Sequence, residues 1–187
     1  MRYSIYKRLR DRAWQCLIDN KISSLPVDVL GIAKLHGIRV IKNTEVNALT
    51  HEENGRSFFD GDKWFIIYND LNPIEISRYT IAHELGHIFL EHELAHVKYA
   101  DIKQISQKPK SEQQADMFAA RLLCPACVLW ALSLHTAEDI ASFCKVPLDI
   151  AKTRAKHMKV LYKRNKFLTS PLEKEVYNNF VDNIRNL

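Results

Sequence analysis

No stretch of this sequence is both long and apolar enough to form a membrane-spanning helix. The uncharged run over residues 122–135 is too short to cross a bilayer and contains Pro125. The first residues also lack the apolar core of a signal peptide, because charged side chains are spread through them. We therefore expect a soluble, cytoplasmic protein with no membrane partner.

Cysteine is scarce as well, and the chain shows no internal repeat or low-complexity segment. In a cytoplasmic protein, four cysteines predict free thiols rather than a disulfide framework. Cys124 and Cys127 form a CxxC pair, but a structural zinc site would need a second pair nearby. A thioredoxin-like site would need a βαβ context, which the pattern does not show. We interpret the pair as half-buried thiols just past a helix end.

The bulk composition is that of an ordinary globular protein. Of 187 residues, 47% are hydrophobic and 26% are charged, which allows a real core and excludes a disordered chain. Apolar periodicity predicts a helix over residues 3–20, a strand over residues 38–41 and a hairpin at Asp60-Gly61-Asp62. The strand that follows, residues 65–68, is interpreted as an exposed edge strand that can bind a peptide backbone by β-strand addition. We predict an α+β fold that is mostly helical, with a small, mostly antiparallel sheet.

Two parts are expected along the chain. Residues 1–135 should form the core with the N-terminal helix, and residues 136–187 a helical part that resembles a helix-turn-helix and packs on that core. We expect the small sheet to lie beside the helix that carries the histidine motif of residues 83–87.

A His-Glu-x-x-His motif on a predicted helix is the strongest functional signal. His83 and His87 are four positions apart, so both imidazoles share one helix face and can bind one metal ion. Glu84 follows the first histidine directly, where its carboxylate can take a proton from water instead of binding the metal. The spacing predicts a zinc site with Glu84 as general base.

The same motif occurs again nine residues later, in His92, Glu93 and His96. On a continuous helix that shift would turn the second pair by about 180°, so the two pairs could not face one site. The first motif has apolar flanks and the second has charged ones. Because a metal site needs a dry, rigid wall, we assign the metal to the first motif.

A catalytic zinc ion needs a third protein ligand and an open fourth position. The next apolar helix carries Glu112 and Asp116, four residues apart on one face. We predict that Glu112 is the third ligand and that Asp116 orients a ligand histidine. The oxyanion also needs a polar partner. Three side chains are candidates for it: His96, Tyr99 and Tyr79.

These two helices resemble the ImmA/IrrE family of metallo-endopeptidases. The resembling stretches are RYTIAHELGHIFL at residues 78–90 and EQQADMFAARLLCP at residues 112–125, and the resemblance covers about residues 25 to 160. Cys124 stands where a methionine is common, and Gln114 where a glutamate is common. The resemblance implies a gluzincin-like HExxH peptidase. Its implied substrate is a helix-turn-helix transcriptional repressor of a mobile element or stress regulon.

A basic stretch over residues 145–166 supports a competing interpretation. It overlaps a helix-turn-helix pattern, and Asp149 is the acidic residue that opposes it. The rival is a non-proteolytic regulator that binds DNA or a repressor on a metallopeptidase scaffold. Such a protein has no need of Glu84, so we favour the peptidase and interpret the stretch as a solvated basic face. The oligomeric state stays open.

Overall fold

The computed structural model describes residues 3–92 and 109–185. Its strands are β1 (Arg39–Lys42), β2 (Gly55–Phe59) and β3 (Trp64–Tyr68). Its helices are α1 (Tyr3–Asp19), α2 (Val29–Leu35), α3 (Asn43–Val46), α4 (Ile74–Phe89), α5 (Lys110–Leu123), α6 (Ala126–Ala131), α7 (Ala137–Cys144), α8 (Leu148–Arg164) and α9 (Pro171–Arg185). None of these described helices is long and apolar enough to cross a membrane.

The three strands form one mixed sheet in the order β1-β3-β2. β3 pairs parallel with β1 and antiparallel with β2. In the β2–β3 turn, Asp60 accepts hydrogen bonds from the backbone N–H groups of Asp62 and Lys63, both at 2.9 Å. The mostly helical α+β class is therefore confirmed, although the sheet is mixed rather than mostly antiparallel. The prediction that residues 65–68 form an edge strand is wrong, because β3 has a partner strand on both sides.

Helix α4 packs against β2 at a point where only glycine fits. A Cβ atom on Gly55 would collide with the methyl group of Thr80 and would lie 3.7 Å from Cγ of Glu84. The buried side of α4 continues through Ile81 and Leu85. As a result, β2 passes directly over the part of α4 that carries Glu84.

By its backbone contacts, the chain divides into two compact units. One unit, Val29–Ala119, contains the sheet, α2 to α4 and the first part of α5. The other comprises the residues up to Asp28 and those from Ala120 onward. The predicted division between residues 135 and 136 follows a different boundary and stays a prediction.

In the unit that joins the two chain ends, α9 packs against both α1 and α6. Leu9 and Phe180 are buried in its core, and the rings of Trp130 and Phe167 stack with centroids 5.3 Å apart. Its four cysteines are free and buried. Burial, with Glu173 nearby, raises the pKa of the Cys127 thiol to about 12. Both thiols of the CxxC pair are buried rather than half-buried, and Cys127 has the chemistry of an inert core thiol rather than that of a redox centre.

Candidate metal centre

A glycine lets α4 and α5 approach closely enough to combine their polar side chains. A Cβ atom on Gly86 would lie 3.2 Å from the Cα and carbonyl oxygen of Ala115, and 3.2 Å from the ring of Phe118. Backbone atoms cannot yield cheaply, so a larger residue at position 86 would push α5 away. This close packing presents Glu112 and Asp116 of α5 to the histidines of α4.

The three predicted metal ligands form a tight triangle of donor atoms. The Nε2 atoms of His83 and His87 lie 3.0 Å apart. One carboxylate oxygen of Glu112 lies 3.3 Å from Nε2 of His83, and the other lies 3.0 Å from Nε2 of His87. Tetrahedral zinc with bonds of about 2.0–2.1 Å needs neighbouring donors about 3.3 Å apart. The triangle fits such an ion with little relaxation, and within the described part of the chain it is the one group of potential ligands that converges so closely.

Asp116 lies behind His83, on the side away from the triangle. Nδ1 of His83 is 2.9 Å from Oδ1 of Asp116, so an N–H group there donates to the carboxylate. That tautomer leaves the lone pair of Nε2 facing the triangle. The hydroxyl group of Tyr79 donates to the same oxygen at 3.1 Å. Tyr79, one of the oxyanion candidates, thus bonds to the residue that is predicted to orient His83.

Replacing Asp116 by alanine should weaken zinc binding about 10–100-fold without removing a ligand. The physical reason is that His83 loses the acceptor that fixes its ring and its tautomer. Competition against a chromogenic chelator measures the affinity, with Asp116→Asn as the matched variant that keeps a neutral acceptor. An affinity equal to that of the wild type in Asp116→Ala would show that the ExxxD spacing is incidental.

Glu84 is buried beside the triangle but does not belong to it. Its side chain is 8% exposed, and its Oε2 atom accepts a hydrogen bond of 2.7 Å from the hydroxyl group of Ser57. Ser57 lies in β2, 27 residues earlier in the chain, and sequence reasoning missed it. The bond fixes one oxygen of Glu84 and leaves the other available for a different partner.

Among the described residues, His92 is the member of the second HExxH run that lies in this region. His92 lies against His87, with their Nδ1 atoms 3.2 Å apart, and its Nε2 atom is 3.3 Å from Oε1 of Gln114. The two motifs would face apart on a continuous helix, but α4 ends at Phe89. The rest of the run, including His96, lies outside the described residues, as does the oxyanion candidate Tyr99.

The charges of the metal-free centre favour a histidinium–carboxylate pair. Burial alone would lower the pKa of His83, but its hydrogen bonds to Asp116 and Glu112 outweigh burial and raise that pKa to about 9. The bonds from His83 and His87 hold the pKa of Glu112 far below its usual value. Without metal, a protonated His83 therefore supplies the positive charge that a bound cation would otherwise supply.

Zinc uptake should consequently release a proton from His83 at neutral pH, and its apparent affinity should rise with pH up to about 9. The stabilisation that His83 gives the metal-free fold is complete below its ordinary pKa of 6.5 and is lost as the pH rises through about 9. That given by Glu112 is complete above its ordinary pKa of 4.5 and is lost as the pH falls through the lowered value. Calorimetric titration with zinc in two buffers of different ionisation enthalpy counts the protons. Zero release at pH 7.5 would contradict the charged pair.

Most of the chain matches a protein-family model. The model described as Peptidase M78, IrrE N-terminal-like domain, matches residues 33–156. No match was found among curated proteins. The matched region exceeds half of the chain and includes all of α4 and α5, which carry the donor triangle, Glu84 and Asp116. The chain therefore belongs to the M78 peptidase family of IrrE N-terminal-like domains.

Proposed function

We propose that this protein is a zinc-dependent endopeptidase that hydrolyses peptide bonds in a cytoplasmic protein. The observation that carries the proposal is the triangle of His83, His87 and Glu112, with Glu84 buried beside it but outside it. Two imidazoles and one carboxylate are a donor set that catalytic zinc sites use while keeping a fourth position open. Membership of a peptidase family supports the same chemistry.

The roles of the residues follow from their positions. His83, His87 and Glu112 would hold a zinc ion, which would supply a Lewis acid for the scissile carbonyl group and for water. Glu84 accepts the proton of the attacking water and then gives it to the leaving amine. Ser57 donates to Oε2 of Glu84, and we assign the proton transfer to the other oxygen, Oε1. Asp116 keeps His83 in the tautomer that has its lone pair on Nε2.

Strand β2 offers a place for the substrate backbone. It is one of the two outer strands of the β1-β3-β2 order, and it bonds to β3 on one side. It also carries Ser57, which contacts Glu84, so a peptide added along its other edge would pass close to the general base. β-Strand addition is therefore assigned to β2 and not to residues 65–68.

We assign a helix-turn-helix repressor of a mobile element or stress regulon as the substrate. The resemblance to the ImmA/IrrE family supports this class. A peptidase that binds extended chains needs an accessible segment, and the linker between a DNA-binding and an oligomerising domain is one. A substrate of this kind is cytoplasmic, in agreement with the cellular location expected from the sequence.

One observation favours the rival function of a DNA- or repressor-binding regulator. Helices α7 and α8 are joined by a three-residue turn, residues 145–147, and pack against each other as in a helix-turn-helix. Arg154 is buried and donates to the carbonyl oxygen of Cys124, so it does not belong to the basic surface. The basic residues that α8 exposes are Lys152, Lys156, Lys159, Lys163 and Arg164.

Co-expression with a helix-turn-helix repressor encoded beside this protein tests the proposal. We expect intact repressor to disappear with the wild type and to persist with the Glu84→Gln form. Mass spectrometry of the fragments should show cleavage at one or a few bonds in an exposed segment. Equal survival of the repressor with both forms would overturn the assigned substrate. If the protein also retards DNA in a gel by itself, the rival function takes its place.

A further inference from the structure

A tight turn at the end of α4 brings His92 back onto His87. The backbone N–H of His92 donates to the carbonyl oxygen of His87 at 3.1 Å, and the N–H of Glu91 donates to that of Ile88 at 3.2 Å. Glu91 has a φ of +54°, in the left-handed region. This pair of bonds is the Schellman arrangement, in which the second residue after the helix returns to the last turn. The backbone thereby fixes His92 at one place beside a proposed metal ligand.

The side chain of His92 contacts His87 on one side and Gln114 on the other. Its ring meets the ring of His87 edge-on, with centroids 5.1 Å apart. Its Nδ1 atom is 3.2 Å from Nδ1 of His87, and its Nε2 atom is 3.3 Å from Oε1 of Gln114. An amide oxygen only accepts hydrogen bonds, so Nε2 of His92 carries the proton and its Nδ1 has a lone pair.

That lone pair selects the tautomer of His87. Because Nδ1 of His92 accepts, Nδ1 of His87 must carry the N–H that donates to it. Nε2 of His87 then has the lone pair, and this is the atom that lies 3.0 Å from both Nε2 of His83 and a carboxylate oxygen of Glu112. The chain of hydrogen bonds from Gln114 through His92 to His87 therefore directs the lone pair of His87 Nε2 at the donor triangle.

We propose that His92 and Gln114 are positioning residues that orient His87 and hold it in its metal-binding tautomer. The proposal rests on the metal-dependent function proposed above. The two ligand histidines are then held differently: His83 by the carboxylate of Asp116, and His87 by a neutral imidazole and amide. His92 is not itself a ligand, because its nearest contact is with the Nδ1 side of His87, opposite the triangle.

The experiment compares full-length variants of His92 and Gln114 in their zinc affinity and in the visible spectrum of the cobalt-loaded protein. His92→Phe keeps a ring of similar size and the helix cap but removes both nitrogen atoms. We expect zinc affinity to fall about 10–100-fold, with a changed cobalt spectrum. The metal-free protein should unfold at nearly the wild-type temperature, which separates positioning from a structural role. His51→Phe, at an exposed turn position, is the matched control and should bind zinc like the wild type.

Gln114 provides the second arm and keeps the proposal testable if His92→Phe folds poorly. Gln114→Ala removes the acceptor and should also weaken zinc binding, whereas Gln114→Glu keeps an acceptor oxygen and should retain it. Because both residues act along one chain of bonds, the double variant should bind no more weakly than His92→Phe alone.

Three results would overturn the proposal. Zinc affinity and a cobalt spectrum equal to those of the wild type in His92→Phe would leave His92 as a helix cap only. Additive losses in the double variant would show that Gln114 does not act through His92. A wild-type protein that binds neither zinc nor cobalt would remove the proposed function together with this inference, whereas a wild type that binds both confines any failure to the inference.

Discussion

Replacing Glu84 by glutamine should abolish proteolysis while leaving zinc bound. Loss of a general base costs about 10²–10⁴-fold in rate. Glu84 lies outside the donor triangle, so zinc content should stay at the wild-type level. A glutamine side chain has nearly the same shape, and its amide oxygen can still accept the hydroxyl hydrogen of Ser57, so the buried position stays satisfied. Cleavage of a purified repressor and elemental analysis of the same preparation measure the two quantities.

The second HExxH run supplies the control for this prediction. Glu93 has the same place in its run that Glu84 has in the first, so Glu93→Gln should cleave at close to the wild-type rate. An inactive Glu93→Gln with an active Glu84→Gln would move the general base to the second run. An inactive Glu84→Gln that has also lost its zinc would assign Glu84 a ligand role instead.

Local spacing was enough to predict which of the candidate side chains share a helix face. The i, i+4 separations of His83 and His87 on α4, and of Glu112 and Asp116 on α5, put each pair on one helix face whatever the rest of the chain does. The structure brings these side chains together as that spacing requires. Their roles in binding and catalysis stay predictions. The family resemblance, which a family model confirms, rests on the same two helices.

Strand order could not be predicted in the same way. Alternation and turn residues located the β2–β3 hairpin. The sequence of β1 does not indicate that this strand pairs parallel with β3, because β2 lies between the two in the chain. That pairing makes β3 central and leaves β1 and β2 as the two outer strands. The contact from Ser57 to Glu84 depends on this order, and so sequence reasoning did not find it. The one hint in the sequence that β2 approaches α4 closely is Gly55, where a side chain would collide with Thr80.

The position of His92 was missed for a different physical reason. A helix end of the Schellman type usually has glycine in the left-handed position, because a Cβ atom costs energy there. Here that position is Glu91, which gives no such signal, so the helical pattern read as continuous. A continuous helix would have turned His92 away from His87. The turn at Glu91 instead brings His92 back against His87.

Replacing His83 by alanine should remove the metal from the purified protein. The wild type should retain about one zinc ion per chain, and the variant well below that, because two donors make a much weaker site than three. The loss should exceed that of Asp116→Ala, since a ligand atom disappears rather than its support. Elemental analysis after gel filtration in dilute chelator measures the content, and proteolysis should disappear with the zinc.

Thermal unfolding gives the same prediction an independent readout. A ligand that binds only the folded state stabilises it by about 2.7 kcal/mol at a concentration 100 times its dissociation constant. Added zinc should therefore raise the unfolding temperature of the wild type and leave that of His83→Ala almost unchanged. The chain has eight histidines, so His51→Ala, at an exposed turn position, controls for unspecific binding and should respond like the wild type. Equal zinc content and equal stabilisation in His83→Ala and the wild type would place the metal elsewhere in the chain.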